Sequence, residues 1–232
     1  MIISLTGFMG CGKSSVGKRL SELLCCRFMD LDTAIEEREG CSVAEIFDSR
    51  GEAEFRRIEA ETLHSLLEDV RGLGRSLRSP HHCASLVVPP LPCRGWHGPH
   101  LPHTLSAAEN SASEGATLIL ALGGGAVMTP ECGKMVHEQT VCVYLKASVD
   151  ELVARLSDET AGRPLLSGRS SDPSVTSSEV ETSPLRTRIL ELMEARSETY
   201  ERTAHIIIDT DGKSIDEVAD EIIRATCRYT AG

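Results

Sequence analysis

The chain has 232 residues, 35 acidic against 24 basic, with a formal net charge of −11. That balance argues against nonspecific nucleic-acid binding, so small anionic ligands must be held by locally placed arginines. No stretch approaches the roughly 20 apolar residues of a membrane span, and Met1 runs straight into an apolar segment with no signal or transit pattern, which makes the cytosol the expected compartment.

In chain order, Ile2, Ile3 and Leu5 read as a short buried strand, and GFMGCGKS follows at once. Glycines at 7, 10 and 12 let successive backbone N–H groups turn toward phosphates, Lys13 reaches the β and γ oxygens, and the Ser14 hydroxyl suits Mg²⁺. Val16, Leu20, Leu23 and Leu24 recur at helical spacing, which predicts a helix over Lys13 to Leu24 with its positive N-terminus at the same anion. Gly7, Gly10, Cys11, Gly12, Lys13, Ser14 and Ser15 therefore form the expected ATP-binding set. Cys11 sits where a helix N-terminus can activate a thiol, although a small residue that fits the loop is the plainer reading. An odd total of nine cysteines, without the spacing of a secreted disulfide framework, points to free thiols. Cys25, Cys26 and Cys142 are expected as small core residues.

A weaker strand near Phe28 leads to Asp30-Leu31-Asp32. If that segment stays extended, both carboxylates share one face, where one can help hold magnesium and the other can accept a proton or hydrogen bond from a substrate hydroxyl. The alternative is a helix-capping pair before a short helix from Thr33 to Arg38. A capping box at Ser42 and Glu45 opens a helix over Val43 to Ser49. Another helix over Ala53 to Leu67 carries Arg56 and Arg57, which could also be a charged face paired with Glu52, Glu59 or Glu61.

From about Gly72 to Glu114 the chain is rich in Pro, His, Ser and Gly without a sustained period, and reads as a disordered insertion. Its His81, His82, Cys83, Cys93, His97, His100 and His103 match no standard zinc signature. Strand Leu118 to Leu122 ends in Gly123, Gly124 and Gly125, suited to close backbone approach rather than to a water-activating acid. Further strands at Val141 to Leu145 and Ile206 to Ile208 alternate with helices at Pro130 to His137, Val149 to Leu156, Leu185 to Arg202 and Ile215 to Thr226. A Ser-rich extension covers about Ser167 to Thr182. Alternating strands and helices predict an α/β fold, a parallel sheet with helices on both faces. Guanine recognition through Asn-Lys-x-Asp is excluded, because Asn110 is the only asparagine and Ser111 follows it.

GFMGCGKSSVG, FMDLD, GEAEFRRIE, LALGGGAV, GRPLL and EARSETY, in that order, resemble the shikimate kinase family over nearly the whole chain apart from the two insertions. The resemblance implies a single domain over 1–232, a three-layer P-loop kinase with a five-stranded parallel sheet, a lid over ATP and a monomer. It further implies Lys13, Asp32 and Arg163 as catalytic residues. Ser14 and Asp30 would stand near Mg²⁺, Asp32 at the reacting hydroxyl, and Arg56 and Arg196 on the shikimate carboxylate. Gly123, Gly124 and Gly125 would lie against the ring, Arg163 on the phosphates, and Arg155 against adenine. Shikimate and ATP are the implied substrates, with no nucleic-acid or membrane partner. A gluconate kinase would share the loop and lid without needing Asp32, Arg56, the glycine run and Arg196. A noncatalytic relative with a regulatory insertion is the remaining alternative.

Overall fold

The computed structural model describes residues 1–76, 118–157 and 184–230. The body of the 72–114 insertion, its His/Cys cluster, the 167–182 extension and Arg163 lie outside the described residues.

Five parallel strands form one sheet: β1 (Ile2–Thr6), β2 (Arg27–Asp30), β3 (Leu118–Ala121), β4 (Val141–Lys146) and β5 (Ile206–Asp209), in the order β2-β3-β1-β4-β5. The connecting helices are α1 (Lys13–Leu23), α2 (Leu31–Glu39), α3 (Val43–Ser76), α4 (Pro130–Gln139), α5 (Val149–Ser157), α6 (Pro184–Thr203) and α7 (Ile215–Thr230). Among the described residues no helix is long and apolar enough to cross a membrane.

The three central strands are apolar on both faces because both faces are covered. Ile2, Leu118, Leu120, Cys142 and Tyr144 pack into one core with residues of α2, α3 and α4, whereas Ile3, Leu5, Ile119, Val143 and Leu145 pack into a second with α1, α5 and α7. β1 is the strand from which the order departs in both directions, with β3 on one side and β4 on the other. In open parallel sheets a ligand crevice forms at the carboxyl ends of the strands at such a switch point.

Three local features depart from the sequence reading. First, the segment after β2 does not remain extended. Asp30 (φ −111°, ψ 126°) is the N-cap of α2, and its side chain accepts the Asp32 N–H at 3.1 Å. The carboxylates come together through that capping turn rather than through strand alternation. Second, α3 runs to Ser76, so helix occupies the first residues of the 72–114 segment. Its two halves meet at Gly51 (φ 81°, ψ 171°), the break expected between the Val43 and Ala53 helices and one that glycine adopts without Cβ strain. Third, Cys25 is exposed, with φ 48° just past α1, and is not a core residue; Cys142 is fully buried and Cys26 only partly. The Ser42–Glu45 capping box is present, with the Ser42 N–H donating to Glu45 Oε2 at 2.8 Å and the Glu45 N–H to Ser42 Oγ at 3.3 Å.

Candidate active site

The carboxyl ends of the strands open into one cleft of about 1120 Å³. One end is built from the glycine loop after β1, the start of α1, Arg155 of α5, and Thr210, Lys213, Ser214 and Val218 around the start of α7. The other is built from Asp32, Phe47, Phe55, Arg56, Glu59, Gly123 to Gly125 and Arg196. Every expected site residue among those described lines this cleft except Gly7. Gly7 lies behind it, where a Cβ would stand 2.6 Å from the Leu145 carbonyl oxygen and 2.9 Å from Cys11 Sγ. Its contribution is close packing of the loop onto β4.

At the loop end the chemistry is mostly backbone. Gly12 (φ 91°) precedes α1 and supplies no side-chain cap, so the first N–H groups of the helix are left for an anion. Lys13 Nζ donates to the carbonyl oxygens of Gly7 (3.0 Å) and Phe8 (2.9 Å), which keeps the ammonium over the loop. The Cys11 side chain is 1% exposed within the core. That burial favours the packing reading over a reactive thiol. Ser14 Oγ donates to Asp30 Oδ2 at 2.6 Å. A hydroxyl beside a carboxylate fits Mg²⁺, which takes oxygen ligands, uses one or two carboxylates and keeps several waters. Among the described residues no group of three or more His, Cys, Asp or Glu is arranged to hold a metal alone. Arg155 is held by Glu151 at 2.8 Å and donates to the Thr210 carbonyl at 3.3 Å.

At the other end the chemistry is in side chains from distant segments. Arg56 pairs with Glu59 at 2.7 Å and with Glu52 at 3.4 Å. The charged-face reading of this helix therefore holds in part, yet Arg56 also faces the cleft, whereas Arg57 turns outward to Glu54 and Glu61. Burial works against the Arg56 charge, but Glu59 and Glu52 together raise its pKa above the usual value. Glu59 is 1% exposed, and its Oε1 has no hydrogen-bond partner among the described residues. Burial pushes the Glu59 carboxyl up, with Arg56 opposing. Burial likewise raises Asp32, helped by the neighbouring Asp30 charge and opposed by Lys13 and Arg56.

The glycine run has a steric explanation that the sequence did not supply. A Cβ on Gly123 would stand 2.7 Å from Asp32 Oδ1 and 2.9 Å from Glu59 Oε1. On Gly125 it would stand 2.5 Å from Arg56 Nη2. The turn is bare because two carboxylates and a guanidinium occupy the space that side chains would take. Tyr200 of α6 closes it from beneath, donating from its hydroxyl to the Gly124 carbonyl oxygen.

Glu59, Phe47, Phe55 and Tyr200 were not assigned as site residues from sequence. A signal for Glu59 was available, since it lies four residues from both Phe55 and Leu63 and so falls on the buried stripe of α3. A charged residue on a buried stripe has a partner or a function.

The family model for shikimate kinase matches residues 9–73 and 106–227. A shikimate kinase from Thermus thermophilus is 33% identical over 227 residues, covering 98% of this chain and 90% of the relative. One from Caldanaerobacter subterraneus is 32% identical over 223 residues, covering 96% and 94%. Among solved structures, a shikimate kinase from Acinetobacter baumannii in complex with shikimate superposes with a TM-score of 0.68 at 24% identity, covering 98% of this chain and 93% of that one. The enzyme from Bacteroides thetaiotaomicron gives 0.67 at 24% identity, covering 97% and 98%.

Proposed function

The chain belongs to the shikimate kinase family, and from that premise we propose that it transfers the γ-phosphoryl group of ATP to the 3-hydroxyl of shikimate. One observation carries the reading: a phosphate loop shares its cleft with two arginines, a desolvated aspartate and a bare glycine turn. Two guanidinium groups suit a carboxylate, because parallel N–H bonds match its two oxygens. Glu59 feels the charge of both Arg56 and Arg196, which supports their acting on one anion.

In the reaction the acceptor oxygen loses its proton to the Asp32 carboxylate and forms a bond to the γ-phosphorus. The bond from that phosphorus to the bridging oxygen breaks, and ADP leaves with the electron pair. Asp32 must be ionised to accept the proton, and Lys13 and Arg56 oppose the burial that would keep it neutral. Lys13 leaves the loop carbonyls to balance charge on the transferring group. Ser14 and Asp30 would hold Mg²⁺, which offsets phosphate charge when bound. Arg163 is assigned to the phosphates by the family pattern alone.

The test is ATP consumption by the purified chain with shikimate, quinate, gluconate or no acceptor. Turnover that depends on shikimate is expected, and Arg196→Ala should raise the shikimate KM about tenfold or more while leaving the ATP KM unchanged. Turnover with gluconate instead would move the assignment to another small-molecule kinase. Nucleotide binding without any acceptor-dependent turnover would favour a noncatalytic role.

A further inference from the structure

Arg56 carries two carboxylates, and they are unequal. Glu59 Oε2 stands 2.7 Å from Nη1 and its side chain is 1% exposed, whereas Glu52 Oε1 stands 3.4 Å from Nη2 and its side chain is 62% exposed. Glu59 is fixed in the interior. Glu52 begins the second half of α3, directly after the break at Gly51, and does not itself line the cleft. The partly positive end of that helix half favours an acid there without fixing its rotamer. The Arg56 guanidinium has little freedom to turn from either partner. A Cβ on Gly125 would stand 2.5 Å from Nη2, 2.7 Å from Nη1 and 2.8 Å from Cζ, so one face of the plane lies against the glycine turn and partners must come to its edges. Both two-pronged edges of a guanidinium include Nη2, end-on with Nη1 and side-on with Nε. Arg196, the other arginine of this end, is in the opposite condition, with a buried Nη1 that has no hydrogen-bond partner among the described residues.

We infer that Glu52 is an internal competitor for the acceptor-binding arginine: its carboxylate holds Arg56 Nη2 until the carboxylate of the acceptor takes that nitrogen over. The imbalance between the two arginines supplies the reason. An arriving carboxylate gains the unpartnered Arg196 donor together with the Nη2 side of Arg56, and at Nη2 it meets the like charge of Glu52. The pair that must be given up is long and exposed, and such pairs contribute little. The released Glu52 carboxylate returns to water. Glu59 cannot make the same exchange, because leaving Arg56 would strand a buried charge. Glu52 therefore sets the affinity for the acceptor without touching it, acting through Arg56 alone. The exchange rests on the acceptor assignment made above.

Glu52→Gln keeps the length of the side chain and removes its charge. The expected result is a shikimate KM lowered about threefold, with kcat and the ATP KM within about twofold of the parent. Glu54→Gln removes the same charge two residues away, from a side chain paired with the outward Arg57, and should leave the shikimate KM where it was. A raised shikimate KM in Glu52→Gln would make Glu52 a support that orients Arg56, and it overturns the proposal. So does an unchanged KM, the result of a merely structural pair, and so does an equal fall in Glu54→Gln, the result of a general field. If the parent enzyme fails to use shikimate, the functional reading fails by that result alone. The exchange is then decided with sodium benzoate, a plain ring carboxylate, titrated against each protein by NMR. Its dissociation constant should be about threefold lower in Glu52→Gln than in the parent and in Glu54→Gln, and equal constants overturn the proposal.

Discussion

The two ends of the cleft are built by opposite strategies. The phosphate end is a run of consecutive residues whose donors are mainly main-chain N–H groups, with Lys13 held on the carbonyls of its own loop. The acceptor end draws side chains from α2, α3 and α6 around the bare turn after β3, and holds them with a buried ion pair, Arg56 to Glu59. A backbone site tolerates side-chain change if its glycines and its lysine remain. A side-chain site depends on each neighbour leaving room for the next. Damage at the first end should therefore appear in turnover with any acceptor, and damage at the second in recognition of one acceptor.

The largest effect is expected for Lys13→Ala, which should lower kcat by about 10³-fold with far-ultraviolet circular dichroism unchanged. A variant that turned over normally would remove the phosphate-loop assignment itself. Asp32→Asn should lower kcat by about 10²-fold. Burial raises the Asp32 carboxyl above the ordinary value of 3.8, so protonation abolishes the base at a higher pH than for a solvated aspartate. In the parent enzyme kcat/KM should fall as pH drops through that raised value, and the Asp32→Asn substitution should erase this acid limb. A limb that persisted in the variant would assign the base elsewhere.

Gly125→Ala tests the division between the ends most directly. Gly125 has φ −115° and ψ −2°, a backbone that alanine adopts freely, so the only cost is the methyl group 2.5 Å from Arg56 Nη2. Arg56 must shift, and the shikimate KM should rise about tenfold while the ATP KM stays within twofold. A parallel rise in both would show that the ends are mechanically continuous.

The same division explains what could be read from sequence. A loop whose ligands are consecutive residues is visible without tertiary information, and so is a helix break at Gly51 between two amphipathic segments. The acceptor end needed family resemblance, because nothing local in GEAEFRRIE distinguishes Arg56, turned to the cleft, from Arg57, turned to Glu54 and Glu61. The reason for the glycine run was also hidden. Its neighbours Asp32, Glu59 and Arg56 lie more than sixty residues away in the chain, and only the pairing of β2 with β3 beside β1 brings them there. Asp30 and Asp32 were identified on a premise that the capping turn replaced. Both residues still line the cleft, because a turn of helix also brings positions two apart into one region.

A smaller effect separates the acid sensitivity of the cleft from that of the fold. His205 precedes β5, at the opposite end of the strands from the cleft, stacked on His137 at 4.4 Å and close to Tyr229. Its Nδ1 accepts the Cys142 N–H at 3.0 Å, which requires the neutral ring with its proton on Nε2. Burial, and then the neighbouring His137, lower its pKa below the ordinary 6.5. The unfolded chain therefore binds the proton more readily than the folded one. Its contribution to stability is complete above about pH 6.5 and is lost as pH falls toward the depressed folded value. Between about pH 7.5 and pH 5.5 the parent should lose about 1–2 °C more in Tm than His205→Asn does. The acid limb of kcat/KM, which the proposed mechanism assigns to Asp32, should be the same in both proteins. If the His205 substitution moved that limb, the two ends of the strands would be coupled, and the acceptor site would not be the self-contained unit that its buried pairing indicates.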